Sequence, residues 1–136
     1  MPRDYVSIVR GVYEEWGRGN FLAGTELFDQ HTILVLAPEF PESGAYRGPE
    51  EINRYMRGFL GAWDHLVIQG ESFTQVGDSV VVGVHQQGAG RESGTPGELR
   101  YFQVWSFRGP TLLRMENIFD ERALKAVGLP AETDGP

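Results

Sequence analysis

At 136 residues the chain is one domain's length, enough to bury a core unaided, and it lacks cysteine, which removes disulfides and thiol chemistry. Its 12 Lys and Arg against 19 Asp and Glu give a net charge of -7, which argues against nucleic acid or a membrane surface as the main partner. No stretch approaches the roughly 20 apolar residues of a membrane span, and Met1-Pro2-Arg3-Asp4 does not open an apolar leader, so the expectation is a cytoplasmic protein.

In chain order, Tyr5, Ile8, Val9, Val12, Tyr13 and Trp16 recur at helical spacing until Gly17 and Gly19 stop them, which predicts a first helix. Asn20 can cap a second, shorter helix that turns Phe21, Leu27 and Phe28 inward and ends at Asp29-Gln30-His31. Thr32 to Ala37 is β-branched and apolar, a strand entering the core. Pro38 to Gly48, with Glu39, Phe40 and Tyr46 among prolines and glycines, reads as a rim loop. Pro49 suits a helix N1 position and Glu50 and Glu51 favour the first turn, opening a third helix through Ile52, Tyr55, Met56, Phe59, Leu60 and Trp63.

From His65 the period changes to two. Leu66 to Val76 and Ser79 to Gln87 flank the two-residue turn Gly77-Asp78. Pairing Val76 with Ser79 sets Phe73 beside Val82 and Gln69 beside Gln86, puts Val80, Val82, Val84 and Gln86 on the core side, and leaves His85 outside. Gly88 to Glu98 has four glycines and a proline and reads as a long, mobile hairpin loop. Leu99 to Asp120 forms a second hairpin about Pro110. Tyr101, Gln103, Trp105 and Phe107 share one face of its first strand, and Leu113, Met115, Asn117 and Phe119 one face of its second. That register sets Gln103 opposite Asn117, two amides on an aromatic surface, where an unpartnered buried amide costs about 1 to 3 kcal/mol. Asp120 is placed to cap a final helix, Glu121 to Val127, closed by Gly128. Residues 1–129 are then one domain and 130–136 a flexible tail.

Three helices followed by a curved antiparallel sheet is an α+β order, with the helices packed on the concave face. The Gly-Asn-Phe around position 20, Tyr46-Arg47-Gly48-Pro49-Glu50, Gly77-Asp78-Ser79-Val80-Val81, and Val104-Trp105-Ser106-Phe107-Arg108 before Ile118-Phe119-Asp120 resemble the SnoaL-like branch of the nuclear-transport-factor-2-like (NTF2-like) superfamily. The resemblance spans roughly residues 5 to 129 and implies a cone-shaped fold, a homodimer formed through the sheet face, and a cavity that different members use for different reactions. Similarity to the ketosteroid isomerases implies a carboxylate base on the first strand and a Tyr with a protonated Asp as oxyanion hole. Leu36 stands at the base position, Val12 beside Tyr13 at the Tyr position, and Gln103 at that of the protonated Asp. Similarity to the limonene epoxide hydrolases implies an Asp, Arg, Asp set, and Val84, Gln86 and Asn117 fall there instead. An amide orients water but cannot take its proton.

Among titratable groups, His85 is the acid or base candidate, against a solvent-facing or interface role, and Glu71 joins it if its strand face is buried. His31 beside Asp29, and His65, fit structural or surface roles better. The three histidines are not spaced as ligand pairs, so neither metal nor cofactor is expected. Trp16, Tyr55, Phe59, Trp63, Phe73, Trp105, Phe107 and Phe119 are core or cavity-wall rings. The expected function is a pocket for a small, mostly hydrophobic ligand, bound without catalysis by Gln86, Gln103, Trp105, Met115, Asn117, Phe119, Tyr13 and Trp63. The alternative is a small-molecule isomerase, cyclase, lyase or hydrolase using His85 or Glu71.

Overall fold

The computed structural model describes residues 4–38, 40 and 42–119. Along the chain come α1 (Tyr5–Gly17), a single 3-10 turn (Thr25–Leu27), β1 (Ile33–Leu36), β2 (Gly44–Arg47), α2 (Gly48–Gly61), β3 (Trp63–Val76), β4 (Ser79–Gly90), β5 (Pro96–Arg108) and β6 (Thr111–Ile118). The strands make one sheet in the order β2-β1-β6-β5-β4-β3. β3 to β6 form an antiparallel meander, and β1 joins it parallel to β6, with Leu36 opposite Asn117. Both helices contribute to the core over one sheet face, α1 through Tyr5, Val9, Val12 and Tyr13 and α2 through Ile52.

Local chemistry accounts for both helices. Asp4 caps α1 by accepting from the Ser7 amide at 3.0 Å, which supplies one of the unpaired donors of a helix start. At α2 the Glu51 carboxylate accepts from the Arg47 amide at 3.0 Å and Pro49 sits in the first turn. Gly48 holds a left-handed φ of 82° there, and its backbone N–H donates to the Thr32 carbonyl at 2.7 Å. A Cβ at Gly48 would stand 3.3 Å from the Gln30 carbonyl oxygen.

The expectation of three N-terminal helices is corrected to two, because the second is only the 3-10 turn. Gly24 has φ 98°, a conformation that a continuing right-handed helix excludes. The segment is tied to α1 instead: Trp16 Nε1–H donates to the Ala23 carbonyl at 3.1 Å, and Asn20 donates to Glu15 rather than capping a helix. The expected C-terminal helix, the tail at 130–136, Glu39 and Pro41 lie outside the described residues.

Two segments expected as loops contain strand. The rim segment includes β2, which pairs with β1 although most of its residues are exposed. The glycine-rich stretch is mostly the ends of β4 and β5, with Gly88 opposite Gly97 and Ala89 opposite Pro96. The ring of Trp63 lies across these glycines, so a Cβ at Gly97 would stand 3.0 Å from it and one at Gly88 3.1 Å. These glycines give the Trp63 ring room to lie on the sheet.

The β3–β4 hairpin turns at Gly77-Asp78, with Val76 opposite Ser79 and Phe73 opposite Val82 as expected. Beyond Ser72 the register shifts, leaving Glu71 without a partner residue and setting Ile68, not Gln69, opposite Gln86. A bulge of this kind exchanges the faces of the residues beyond it. Val80, Val82 and Val84 lie in the main core on the inner face, while Val81, Val104 and Ile118 form a second cluster with Phe102 against it.

Candidate functional site

A cavity of about 550 Å³ lies between α2, the segment after α1 and the inner sheet face, a size typical of small-molecule sites. Tyr55, Met56 and Phe59 reach it from α2, Trp16 from α1, and Gln86, Gln103, Met115 and Asn117 from the sheet. Their access follows from strand alternation, which brings Tyr101 and Gln103 to the inner face of β5 and Met115 and Asn117 to that of β6. Phe119 stacks on Phe40 with centroids 4.3 Å apart, and both rings line the cavity.

Its polar groups form two small networks. Gln103 Oε1 accepts from the Tyr13 hydroxyl and, at 2.8 Å, from Trp105 Nε1–H. Gln103 Nε2–H donates to Asn117 Oδ1 at 2.8 Å. The Tyr101 hydroxyl donates to Gln86 Oε1 at 3.0 Å. Gln86, Gln103 and Asn117 are all buried, so these bonds offset a desolvation cost that unpaired amides would carry in full.

The phenols here are held neutral. Burial pushes Tyr13 well above its usual range, with Tyr101 nearby adding to the effect. Burial also raises Tyr101 strongly, and it pushes Tyr55 up to about 12, because a phenolate loses more hydration than a phenol.

Of the residues expected to hold a ligand, Gln86, Gln103, Met115, Asn117, Phe119 and Trp63 line the cavity. Tyr13 and Trp105 do not; they stand behind Gln103 and bond its oxygen. Phe73 and Phe107 belong to the core packing, Phe107 stacking on Tyr5 with centroids 4.4 Å apart. Tyr101, Phe40 and Asn53 line the cavity and were not among the expected ligand contacts. Tyr101 carried a signal, since it shares a strand face with Gln103, whereas Phe40 lies in a segment without periodicity.

His85 and Glu71 come together, but on the outer face. His85 Nδ1 lies 3.8 Å from Glu71 Oε2, and Nε2 lies 3.0 Å from Glu98 Oε2 without hydrogen-bond alignment. Arg100 Nε completes the group by donating to Glu71 Oε1 at 3.3 Å. Neither His85 nor Glu71 lines the cavity. Among the described residues no group of His, Cys, Asp and Glu is arranged to hold a metal ion, and no helix is long and apolar enough to cross a membrane.

The model of the SnoaL-like domain family matches residues 9–115 of this sequence. Among curated proteins, none matches the sequence. Solved structures share the fold at low identity. An NTF2-like protein from Burkholderia thailandensis E264 is 23% identical with a TM-score of 0.78, over 94% of this chain and 99% of its own. TerC, co-crystallised with polyporic acid, is 18% identical with a TM-score of 0.71, over 90% of this chain and 95% of its own. A protein of ketosteroid isomerase-like fold from Catenulispora acidiphila DSM 44928, in complex with trimethylamine, is 15% identical with a TM-score of 0.67, over 97% and 98%. With a family match across most of its length, the chain belongs to the SnoaL-like domain family, and it shares its fold with NTF2-like proteins.

Proposed function

We propose that this protein binds a small, mostly hydrophobic molecule in the cavity under α2 and orients it through neutral amides, without cavity groups doing acid–base chemistry. The observation that carries this reading is the kind of polar group present. Among the described residues, the buried polar side chains of the cavity wall are Gln86, Gln103 and Asn117. The ionisable ones among the described residues of the wall are Tyr55 and Tyr101, both raised by burial, and the exposed Glu42 and Glu98. A phenol raised this far is a poor proton carrier near neutrality. Co-crystallisation of TerC with polyporic acid adds that a related fold accepts a small organic molecule.

The acid–base alternative needs His85 or Glu71 to reach a bound molecule from the outer sheet face. A homodimer through that face is part of the proposal and follows the family resemblance; Val81, Val104 and Ile118 on that face are already buried within the single chain.

Binding is tested by extracting the natively purified protein and identifying co-purified small molecules by mass spectrometry, alongside titration with an apolar fluorescent probe. The reading expects saturable probe binding that is weakened by Phe119→Ala and unchanged in His85→Ala and Glu71→Gln. Failure of any apolar probe to saturate the wild-type protein overturns it. Loss of turnover on an identified ligand in His85→Ala, with binding retained, establishes the alternative.

A further inference from the structure

Taking the cavity to be a ligand site, the orientation of its amides decides what chemistry the ligand carries. An indole N–H can only donate. Trp105 is 1% exposed and its Nε1–H points at Gln103 Oε1 at 2.8 Å. Reversing the Gln103 amide would set an N–H donor against another donor in a buried site, so its oxygen stays on the Trp105 side. The Tyr13 hydroxyl donates to the same oxygen.

The consequence passes to the next strand. With its oxygen held, Gln103 offers Nε2–H to Asn117, which must answer with Oδ1, as it does at 2.8 Å. Asn117 Nδ2 is thereby left without a hydrogen-bond partner among the described residues, in a side chain 9% exposed that lines the cavity. Gln86 shows the same polarity, its oxygen taken by the Tyr101 hydroxyl and its Nε2 without a partner among the described residues. All three amide oxygens already accept from the protein, Gln103 Oε1 from two donors, whereas Asn117 Nδ2 and Gln86 Nε2 have no partner among the described residues.

We propose that Trp105, which does not line the cavity, is a specificity-determining positioning residue: through Gln103 it locks Asn117 as a donor, so that the site selects apolar ligands bearing a neutral acceptor oxygen, of the ketone or quinone class. A ligand whose polar group only donates has to share an amide oxygen that already accepts from Gln103 or Tyr101. A carboxylate finds no cation, since among the described residues neither Arg nor Lys lines the cavity, and an unpaired buried charge is costly.

The test compares two probes of matched shape, 2-acetylnaphthalene and 2-isopropenylnaphthalene, which differ by an oxygen in place of a methylene. Titration of the wild-type protein is expected to show the ketone binding about threefold to tenfold more tightly, the value of one net hydrogen bond. Asn117→Leu lowers that ratio at least twofold, and Asn117→Leu combined with Gln86→Leu brings it to about one. Trp105→Phe keeps the ring but removes the donor, allowing Gln103 to reverse against the Tyr13 hydroxyl, and lowers the ratio at least twofold while the hydrocarbon's affinity holds. A merely structural Trp105 would weaken both probes alike and leave the ratio intact.

Equal binding of the two probes by the wild-type protein overturns this inference and leaves the pocket reading standing. Failure of both to bind at their solubility limit overturns the pocket reading and, with it, the ligand selection. The relay itself is judged without ligand in the wild-type protein, by nuclear Overhauser contacts of the Gln103 side-chain amide protons. Contacts to Asn117 are expected, and contacts to the Trp105 indole proton instead overturn the locked orientation.

Discussion

Gln103 on β5 and Asn117 on β6 are cross-strand partners joined by an Nε2–H to Oδ1 hydrogen bond of 2.8 Å. Gln103 is the hub of the pair, because Tyr13 and Trp105 converge on its oxygen. Gln103→Leu strands the Trp105 N–H, the Tyr13 hydroxyl and the Asn117 oxygen together. Each buried group left unpaired costs about 1 to 3 kcal/mol, so the variant should lose roughly 2 kcal/mol or more in urea unfolding. Asn117→Leu strands only the Gln103 amide and should lose less. Equal losses would mean that Tyr13 and Trp105 find other partners.

This pairing was legible in the sequence because the apolar alternation of both strands leaves few registers. The molecule reaches it by a less direct route. Arg108 pairs with Thr111 around a two-residue turn, and an irregularity between Ser106 and Phe107 then leaves Leu113 without a partner and restores Gln103 to Asn117. Burial of one face constrains the register more strongly than turn geometry does. The same logic failed on β3, where the shift at Gly70 and Ser72 turns Glu71 to the outer face with Arg100. A bulge adds one residue with no compositional mark. The strand β2 was hidden for another reason: it is short and mostly exposed, so nothing in its polarity pattern distinguishes it from loop.

The missing second helix leads to a substitution test. Gly24 has φ 98°, and a Cβ there would stand 3.2 Å from Val12 Cγ1. Gly19 has φ 90° with nothing within 4 Å of its Cβ position. Both Gly→Ala changes incur the left-handed backbone penalty of about 1 to 2 kcal/mol, but only Gly24→Ala also presses on the buried face of α1. Thermal unfolding should rank Gly24→Ala as the more destabilised. The reverse order would show that the segment gives way freely.

A second glycine pair, Gly88 and Gly97, lies against the Trp63 ring. A Cβ at Gly97 would meet only the Trp63 ring, at 3.0 and 3.1 Å, whereas one at Gly88 would also meet the Asp64 carbonyl oxygen at 3.2 Å and Leu66 Cα at 3.3 Å. Side chains shift more cheaply than paired strands. Gly97→Ala should therefore displace the Trp63 indole resonance with a stability loss under about 1 kcal/mol, and Gly88→Ala should cost about 1 to 3 kcal/mol in overpacking. If Gly97→Ala leaves the Trp63 resonance in place, the ring does not rest on these glycines.

Alkaline pH isolates the buried phenols, since 11 of the 12 cationic side chains are Arg, which stays protonated there. Tyr55 is raised from about 10 to about 12 by burial, with Tyr46 and Glu42 adding to the effect, and Tyr13 and Tyr101 are raised as well. Below pH 10 folded and unfolded chains alike keep these protons. Above it the unfolded chain releases protons that the folded one retains, so stability falls as pH rises through the window from 10 towards 12. Replacing Tyr55 by Phe removes one such proton and should flatten the slope by up to about 1.4 kcal/mol per pH unit. Urea unfolding across this window measures both slopes, and an unchanged slope in Tyr55→Phe would show that its phenol titrates alike in the folded and unfolded chains.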